Sequence, residues 1–186
     1  MSDTISNNNL PVIHSNTQVV PLTDDPAKAI KQIKFYFKVC WIGMLIGFPS
    51  LALTPAGIGF ITAWAVLFGF YFGFHLLHLL WTLIPSSIAR ATPDKAVGYS
   101  FIPFYTCYWS FITYQGLAED MNKMLEQRAT QYRVNENLAK TLAILVCLFH
   151  VPVINIFAIA IAGLVWVLFL KSAKDGALIL LEQEQK

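Results

Sequence analysis

The fold of this chain is decided by residues 39–89, which read VCWIGMLIGFPSLALTPAGIGFITAWAVLFGFYFGFHLLHLLWTLIPSSIA without a single Lys, Arg, Asp or Glu. A second uncharged stretch runs from Thr141 to Leu170. An uncharged apolar run longer than roughly 18 residues is typical of a membrane span. Each stretch has room for two helices, with Pro49 and Pro55 near the middle of the first and Pro152 in the second. The sequence therefore predicts a multi-pass membrane protein.

The composition supports this prediction. Hydrophobic residues make up 56% of the chain and charged residues 13%, and the mean hydropathy is +0.55. A soluble domain carries roughly a quarter charged residues. The net charge of +2 is small and no basic stripe is present, which argues against nucleic acid as a partner. Cys40, Cys107 and Cys147 lack C-x-x-C spacing, so we expect apolar packing residues rather than disulfides or zinc ligands.

The chain divides into one membrane domain and two tails. Residues 1–22 are rich in Ser, Asn and Thr and lack the basic start and apolar core of a secretory signal. They are predicted to be a disordered tail. Residues 23–182 are predicted to form a single helical membrane domain, followed by a short C-terminal tail at 183–186.

The membrane domain begins with a basic helix. Four lysines recur at spacings of three and four, on a face separate from Ile30, Ile33 and Phe37. This pattern predicts an amphipathic helix at a membrane surface. Its lysines are Lys28, Lys31, Lys34 and Lys38. The helix continues into a first span at about 37–53, and a second span follows at about 58–84.

The topology depends on the segment from Gly98 to Leu117, which Pro103 interrupts. Proline lacks an amide hydrogen and disfavours helix at the residue before it. We therefore expect two half-helices, with Tyr105, Tyr108 and Trp109 following the bend. If the segment crosses the membrane, there are five spans. If it enters and returns, there are four spans, and every Lys and Arg faces one side, as the positive-inside rule favours.

We accordingly predict an all-α integral membrane fold with four transmembrane helices and a re-entrant half-helix pair, and five spans are the alternative. Both termini are expected on the cytoplasmic side.

The segment from Trp81 to Asn122 resembles a group of bacterial multi-pass membrane proteins of unknown function. In that group a T-P-G-K-A-V-G element precedes an I-P-F-aromatic re-entrant piece and a G-L-x-x-D-x-N helix. Residues 92–98, 102–104 and 116–122 match these elements in turn, with Asp94 where the group has glycine. A second bacterial family shares the T-P-G-K element, but its Arg-Asp-Asp signature has no counterpart here. The resemblance implies a bacterial inner-membrane protein with a re-entrant fold and brings no known activity.

Two histidines suggest a ligand site. His75 and His78 lie on one face of the second span, and imidazoles inside a membrane often have a function. In the four-span topology His150 lies at the opposite end of the bundle, which excludes a three-histidine site. Hydrogen-bonded packing, or a polar position near the cytoplasmic interface, is the preferred explanation of the pair, so no cofactor is predicted. Haem or metal binding and a proton relay are the alternatives.

Small residues at helical spacing indicate close helix packing, either within the bundle or against another subunit. They are Gly43, Gly47, Gly69, Gly73, Ala158, Ala162 and Gly163. Farther along the chain, Glu119, Asp120 and Glu126 alternate with Lys123 and Arg128. This spacing predicts a solvated, salt-bridged helix face.

No Ser/His/Asp arrangement, H-E-x-x-H motif or P-loop is present in the sequence. The predicted function is therefore a non-catalytic accessory or scaffold subunit, with the lipid bilayer and other membrane protein subunits as partners. The alternative is a haem- or metal-binding redox protein using His75 and His78. A small channel or transporter is the weakest hypothesis, because the spans carry no buried charge, inverted repeat or acidic ring.

Overall fold

The computed structural model describes the backbone of residues 21–50, 59–151 and 154–185, and the side chains of these residues except 48–50, 59–62, 155–157 and 160. Within these residues the structure consists of helices and contains no strand. The prediction of an all-α fold is confirmed for this part of the chain. Most of the predicted disordered tail and the predicted turn around Pro55 lie outside the described residues.

The helices follow one another in a simple order. They are α1 (Pro26–Ser50), α2 (Gly59–Thr82), α3 (Pro93–Gly98), a 3₁₀ turn (Tyr99–Phe101), α4 (Tyr105–Ser110), a π-helical turn (Phe111–Gly116), α5 (Leu117–Gln127), α6 (Glu136–Leu148) and α7 (Ile154–Glu184). Asp25 caps the first helix, since its Oδ1 accepts the Lys28 amide at 2.9 Å.

Helices α1 and α2 pack against each other in antiparallel orientation through glycines. A Cβ added to Gly43 would lie 2.8 Å from the Cα of Gly69, so the two backbones are in direct contact there. One turn further along α1, Gly47 faces Val66 of α2. Close backbone approach at small residues is the packing mode expected of helices in lipid.

Residues 93–127 form a helical hairpin. The chain turns at Ile102–Phe104, around Pro103, and Phe104 has a positive φ of 62°. The returning helix lies beside the outgoing one, because the Trp109 indole donates to the Lys95 carbonyl at 3.0 Å and the Thr113 hydroxyl donates to the Ala96 carbonyl at 2.9 Å.

Helix α7 runs antiparallel to α1 and completes the core. The Lys174 ammonium lies 4.8 Å from the centre of the Phe37 ring, and the Leu22 amide donates to Glu184 at 2.7 Å. Trp81 of α2 and Phe169 of α7 are completely buried. All of the long helices and the hairpin contribute to the interior, since α1 adds the buried Ile33 and α6 adds the buried Leu142.

Charged residues gather at one end of the bundle. Arg128, directly after the hairpin, contacts Glu184 of α7 at 2.9 Å, and Tyr132 donates to the Ser172 carbonyl at 2.9 Å. The uncharged hairpin turn 102–104 and the uncharged segment 149–151 lie at the opposite end.

One described helix segment, Ala63–Thr82 in α2, is long and apolar enough to cross a membrane by length and composition. The predicted set of four such helices is not supported by this measure. Helix α6 has 13 residues, about 20 Å at 1.5 Å per residue, against a hydrocarbon core of about 30 Å. In α1 the lysines occupy the first half, and in α7 Lys171, Lys174 and Asp175 interrupt the second half.

Candidate functional site

The base of the hairpin is closed by a buried carboxylate. Asp120, in the first turn of α5, is completely buried. Its Oδ1 lies 3.2 Å from the Arg90 Nε and 3.1 Å from the Lys123 Nζ, and its Oδ2 accepts the Arg90 amide at 3.2 Å. A buried carboxylate needs such partners to remain charged. The arrangement joins the entry and the exit of the hairpin.

Glu119 extends the same network toward the surface. Burial raises the pKa of its carboxyl, but hydrogen bonds from Gln115 and Arg90 and the positive charge of Arg90 outweigh burial, so the pKa lies below its usual range. Gln115 donates to it at 2.7 Å, and Arg90 forms an ion pair with it. Glu119 is therefore ionised at neutral pH and shares Arg90 with Asp120.

The expectation of a solvated acidic face holds for only part of this segment. Glu126 pairs with Arg133 at 3.3 Å, and both side chains are more than half exposed. For Asp120 the expectation is wrong, because it lies on the side of α5 that also carries the buried Leu117, Met121 and Met124.

Asn122 holds the connection between the hairpin and α6. Its side chain donates to the Val134 carbonyl at 3.0 Å and to Glu136 at 2.6 Å, and it accepts the Val134 amide at 2.7 Å. A buried amide with three hydrogen bonds is well satisfied. Asp120 thus holds the segment before the hairpin, and Asn122 holds the segment between the hairpin and α6.

The hairpin turn meets the end of α6 at His150. The His150 Nε2 accepts the Phe104 amide at 3.3 Å, so Nδ1 carries the proton and donates to the Cys107 Sγ at 3.3 Å. Cys147 donates to the Cys107 carbonyl, also at 3.3 Å. The three cysteines of the chain are free thiols.

The predicted histidine pair has separate partners. The His78 Nε2 lies 3.0 Å from Asp94 Oδ1, whereas the His75 ring packs 4.5 Å from the Tyr71 ring and 5.9 Å from the Tyr36 ring. In the described ranges, no three His, Cys, Asp or Glu side chains are grouped so that they could hold a metal ion. The haem alternative stays a prediction.

The small residues named by the sequence lie at contacts inside the bundle. Gly43, Gly47 and Gly69 face the partner helix of the α1–α2 pair, while Gly73 faces the Trp166 ring of α7. In α7 the small residues are buried. They are Ala158, Ala162 and Gly163. A role for the same residues in binding another subunit stays a prediction.

The basic helix and the hairpin aromatics are placed differently. The four lysines of α1 are exposed, whereas Ile33 is completely buried. In the hairpin, Trp109 is buried and stacks on Tyr105 with ring centres 5.6 Å apart, while Tyr108 is 64% exposed. Of these three aromatic side chains, Trp109 alone is buried.

An apolar cavity of about 380 Å³ lies between α2, the hairpin, α6 and α7. Its walls are largely aromatic and aliphatic, and the sequence alone did not indicate it. The described residues that line it are Phe70, Phe74, Ser100, Thr106, Tyr114, Leu142, Val146, Phe149, Ile159, Ala162, Gly163 and Trp166.

Comparison with family models, with curated proteins and with solved structures finds no match to this chain. The resemblance carried by residues 81–122 therefore stays a prediction.

Proposed function

We propose that this chain is an integral membrane protein with four crossing helices, α1, α2, α6 and α7, and that residues 93–127 form a re-entrant hairpin. Exposed apolar side chains on α1, α2 and α7 support this, since Leu45, Leu67 and Leu164 are each 58–59% exposed. Acyl chains would cover them. Residues 149–151 extend the path of the short α6.

The course of the hairpin suits re-entry, because Arg90 before it and Asp120 near its end meet at the charged end of the bundle. From Asp120 back to Tyr105 the returning helix rises about 22 Å, about the length of α6, and the hairpin turn contacts His150, so the turn reaches the depth at which α6 ends. Irregular backbone at that depth needs internal hydrogen bonds. The amides of 102 and 104–107 all have acceptors, His150 serving Phe104, and Pro103 has no amide hydrogen. The turn is thus compatible with a lipid environment.

The proposed role is that of a non-catalytic accessory or scaffold subunit in a bacterial inner membrane, and one observation carries it. On the outer surface of the α1–α2 pair, Val39, Ile42, Gly43, Ala65 and Phe68 line a shallow apolar groove. The close contact of α1 and α2 at Gly43 and the small side chain of Ala65 keep the floor of the groove low, so that a second helix can approach it.

Two aromatic side chains of this groove, Trp64 and Phe68, are more than half exposed, as at a protein interface, where aromatics are enriched. We call the groove with these two side chains the outer α1–α2 face, and we propose that it binds a helix of another membrane protein.

Site-specific photo-crosslinking in native membranes tests this role. A photoreactive amino acid at Ile42 or Phe68 should form an adduct with one other membrane protein in stoichiometric yield. The matched control is the exposed surface of α7, with the same amino acid at Ile161 or Leu164. Equal labelling from both surfaces, or adducts with lipid alone, would contradict the proposed role.

The absorption spectrum of the protein, purified from its native membrane, tests the haem alternative. A Soret band that His78→Ala abolishes would favour the redox protein over the subunit.

A further inference from the structure

Two cysteines meet where the hairpin packs on α6. Cys107 and Cys147 are 40 positions apart in the chain, and the Cys147 Sγ donates to the Cys107 carbonyl at 3.3 Å. The two thiols also interact directly with each other. One turn further along each helix, the Ser110 hydroxyl donates to the Ala143 carbonyl at 3.3 Å. The two cysteines therefore lie on facing sides of two closely packed helices.

The closeness of the two helices brings the sulfur atoms within reach of each other. The Cys147 sulfur contacts a main-chain atom of Cys107, so the gap between the two main chains is spanned by one short side chain. Disulfides join Cα atoms roughly 4.4–6.8 Å apart and need this kind of proximity. Both cysteines are free thiols in the structure. Rotation of their side chains is the movement that would join them.

A histidine lies against one sulfur of the pair. The His150 Nδ1–H donates to the Cys107 Sγ at 3.3 Å, because the Nε2 of the same ring accepts the Phe104 amide. The thiolate is the attacking species in thiol–disulfide exchange, and this N–H lies where its negative charge would be. Cys107 and Cys147 are both partly exposed. Cys40 is completely buried, so an oxidant has access to the pair and not to Cys40.

We propose that Cys107 and Cys147 form a reversible disulfide that fastens the hairpin to α6. The proposal rests on the proposed function in one respect, the side of the membrane. The pair lies near the hairpin turn and residues 149–151, at the end of the bundle that the proposed topology places outside the cytoplasm. Disulfides form and persist in the bacterial periplasm. The oxidant is the disulfide of another protein or of a small thiol.

The exchange takes two steps. The Cys107 thiolate attacks one sulfur of the oxidant's disulfide, forms a mixed disulfide and releases one thiolate. The Cys147 thiolate then attacks the Cys107 sulfur, forms the internal disulfide and releases the second thiolate. The released thiolates take up the two protons that the cysteines lose. Two electrons thus pass from the cysteine pair to the oxidant.

Thiol counting on the full-length purified protein tests the site. The protein is reduced, exposed to glutathione disulfide, denatured and labelled with a polyethylene-glycol maleimide, which shifts the gel band once for each free thiol. The reduced protein should carry three labels, one on each cysteine, and the oxidised protein a single label on Cys40. Mass spectrometry should find the oxidised protein lighter by two hydrogen atoms and free of glutathione. Dithiothreitol should restore all labels.

Serine variants provide matched controls. Cys40→Ser keeps the pair, so oxidation should remove every label from this variant. In Cys107→Ser and Cys147→Ser no internal bond can form, and glutathione should stay attached to the remaining member of the pair.

The bond should also stabilise the contact between the hairpin and α6. It closes a loop over 40 positions of the chain. The oxidised wild type should therefore unfold at a Tm about 5–10 °C above that of the reduced protein. Cys107→Ser should have the same Tm under both conditions.

A measurement on cells separates the site from the topology. Thiols trapped with acid in intact cells should give the single label of the oxidised protein. If the purified protein forms the bond but the protein from cells carries all three labels, the disulfide site stands and the proposed topology is contradicted. The proposal itself is overturned if glutathione disulfide leaves all thiols of the purified protein free. It is equally overturned if glutathione remains on both Cys107 and Cys147 without an internal bond.

Discussion

The Arg90 guanidinium and the Asp120 carboxylate meet at 3.2 Å although 30 positions separate them in the chain. Arg90 precedes the hairpin and Asp120 follows its turn, so their contact brings the two ends of the hairpin together at the charged end of the bundle. The backbone amide of Arg90 donates to the same carboxylate. Because of this double contact, the hairpin begins and ends at the same end of the bundle.

Removing the buried charge should weaken the fold. Asp120→Asn loses charge-assisted hydrogen bonds to Arg90 and Lys123 and should lower the free energy of unfolding by about 1.5–3 kcal/mol. Arg90→Gln should cost at least as much, because it leaves a buried carboxylate short of a partner. Thermal or denaturant unfolding in detergent measures both.

The matched control for these variants is Glu126→Gln at the exposed pair with Arg133, which should cost less than about 1 kcal/mol. Equal destabilisation by all three variants would show that Asp120 has no special structural role.

Acid should loosen the same network. The pKa of Glu119 is lowered in the folded protein, so its stabilising contribution is complete above the unfolded value of 4.5 and is lost as the pH falls through the lower folded value. We expect the melting temperature to decrease as the pH is lowered below 4.5. Glu119→Gln should make this decrease with pH smaller. An identical pH profile for the variant would contradict the assignment.

Two glycines provide a matched test of helix contact. Gly43→Ala forces a Cβ against the Gly69 backbone and should destabilise the protein by about 1–3 kcal/mol. Gly98→Ala, where an added Cβ meets nothing within 4 Å, should be neutral or slightly stabilising. If the two variants unfold alike, α1 and α2 do not touch at this point.

His150 should matter as an acceptor rather than as a metal ligand. His150→Ala removes the acceptor of the Phe104 amide at the hairpin turn and should cost about 0.5–1.5 kcal/mol. His150→Gln, whose amide oxygen can accept the same hydrogen, should recover part of that loss. The unfolding midpoints of the two variants decide this, and no recovery with Gln would argue against the acceptor role.

The sequence predicted the helical class and the position of the hairpin turn for physical reasons that act locally. Uncharged apolar runs specify helices in a bilayer whatever their partners, and proline breaks a helix wherever it lies. The turn at Ile102–Phe104 accordingly lies at Pro103.

The buried state of Asp120 could have been recognised from spacing. It stands three residues after Leu117 and four before Met124, which is the spacing of one interior face of a helix. Its partner Arg90 could not be identified in this way, because that contact joins segments distant in the chain. The cavity at Trp166 depends likewise on four elements meeting, and no local pattern encodes it.

The most direct test of the central claim is the sidedness of the two ends of the hairpin. Single cysteines at the exposed positions Ser87, Gln131 and Val151, in a chain with its native cysteines replaced by Ala, would be labelled with a membrane-impermeant maleimide on intact and opened cells. The account predicts that Ser87 and Gln131 react only after opening, whereas Val151 reacts in intact cells. Labelling of Gln131 in intact cells, with Ser87 protected, would show that the segment crosses the membrane and would contradict the re-entrant hairpin.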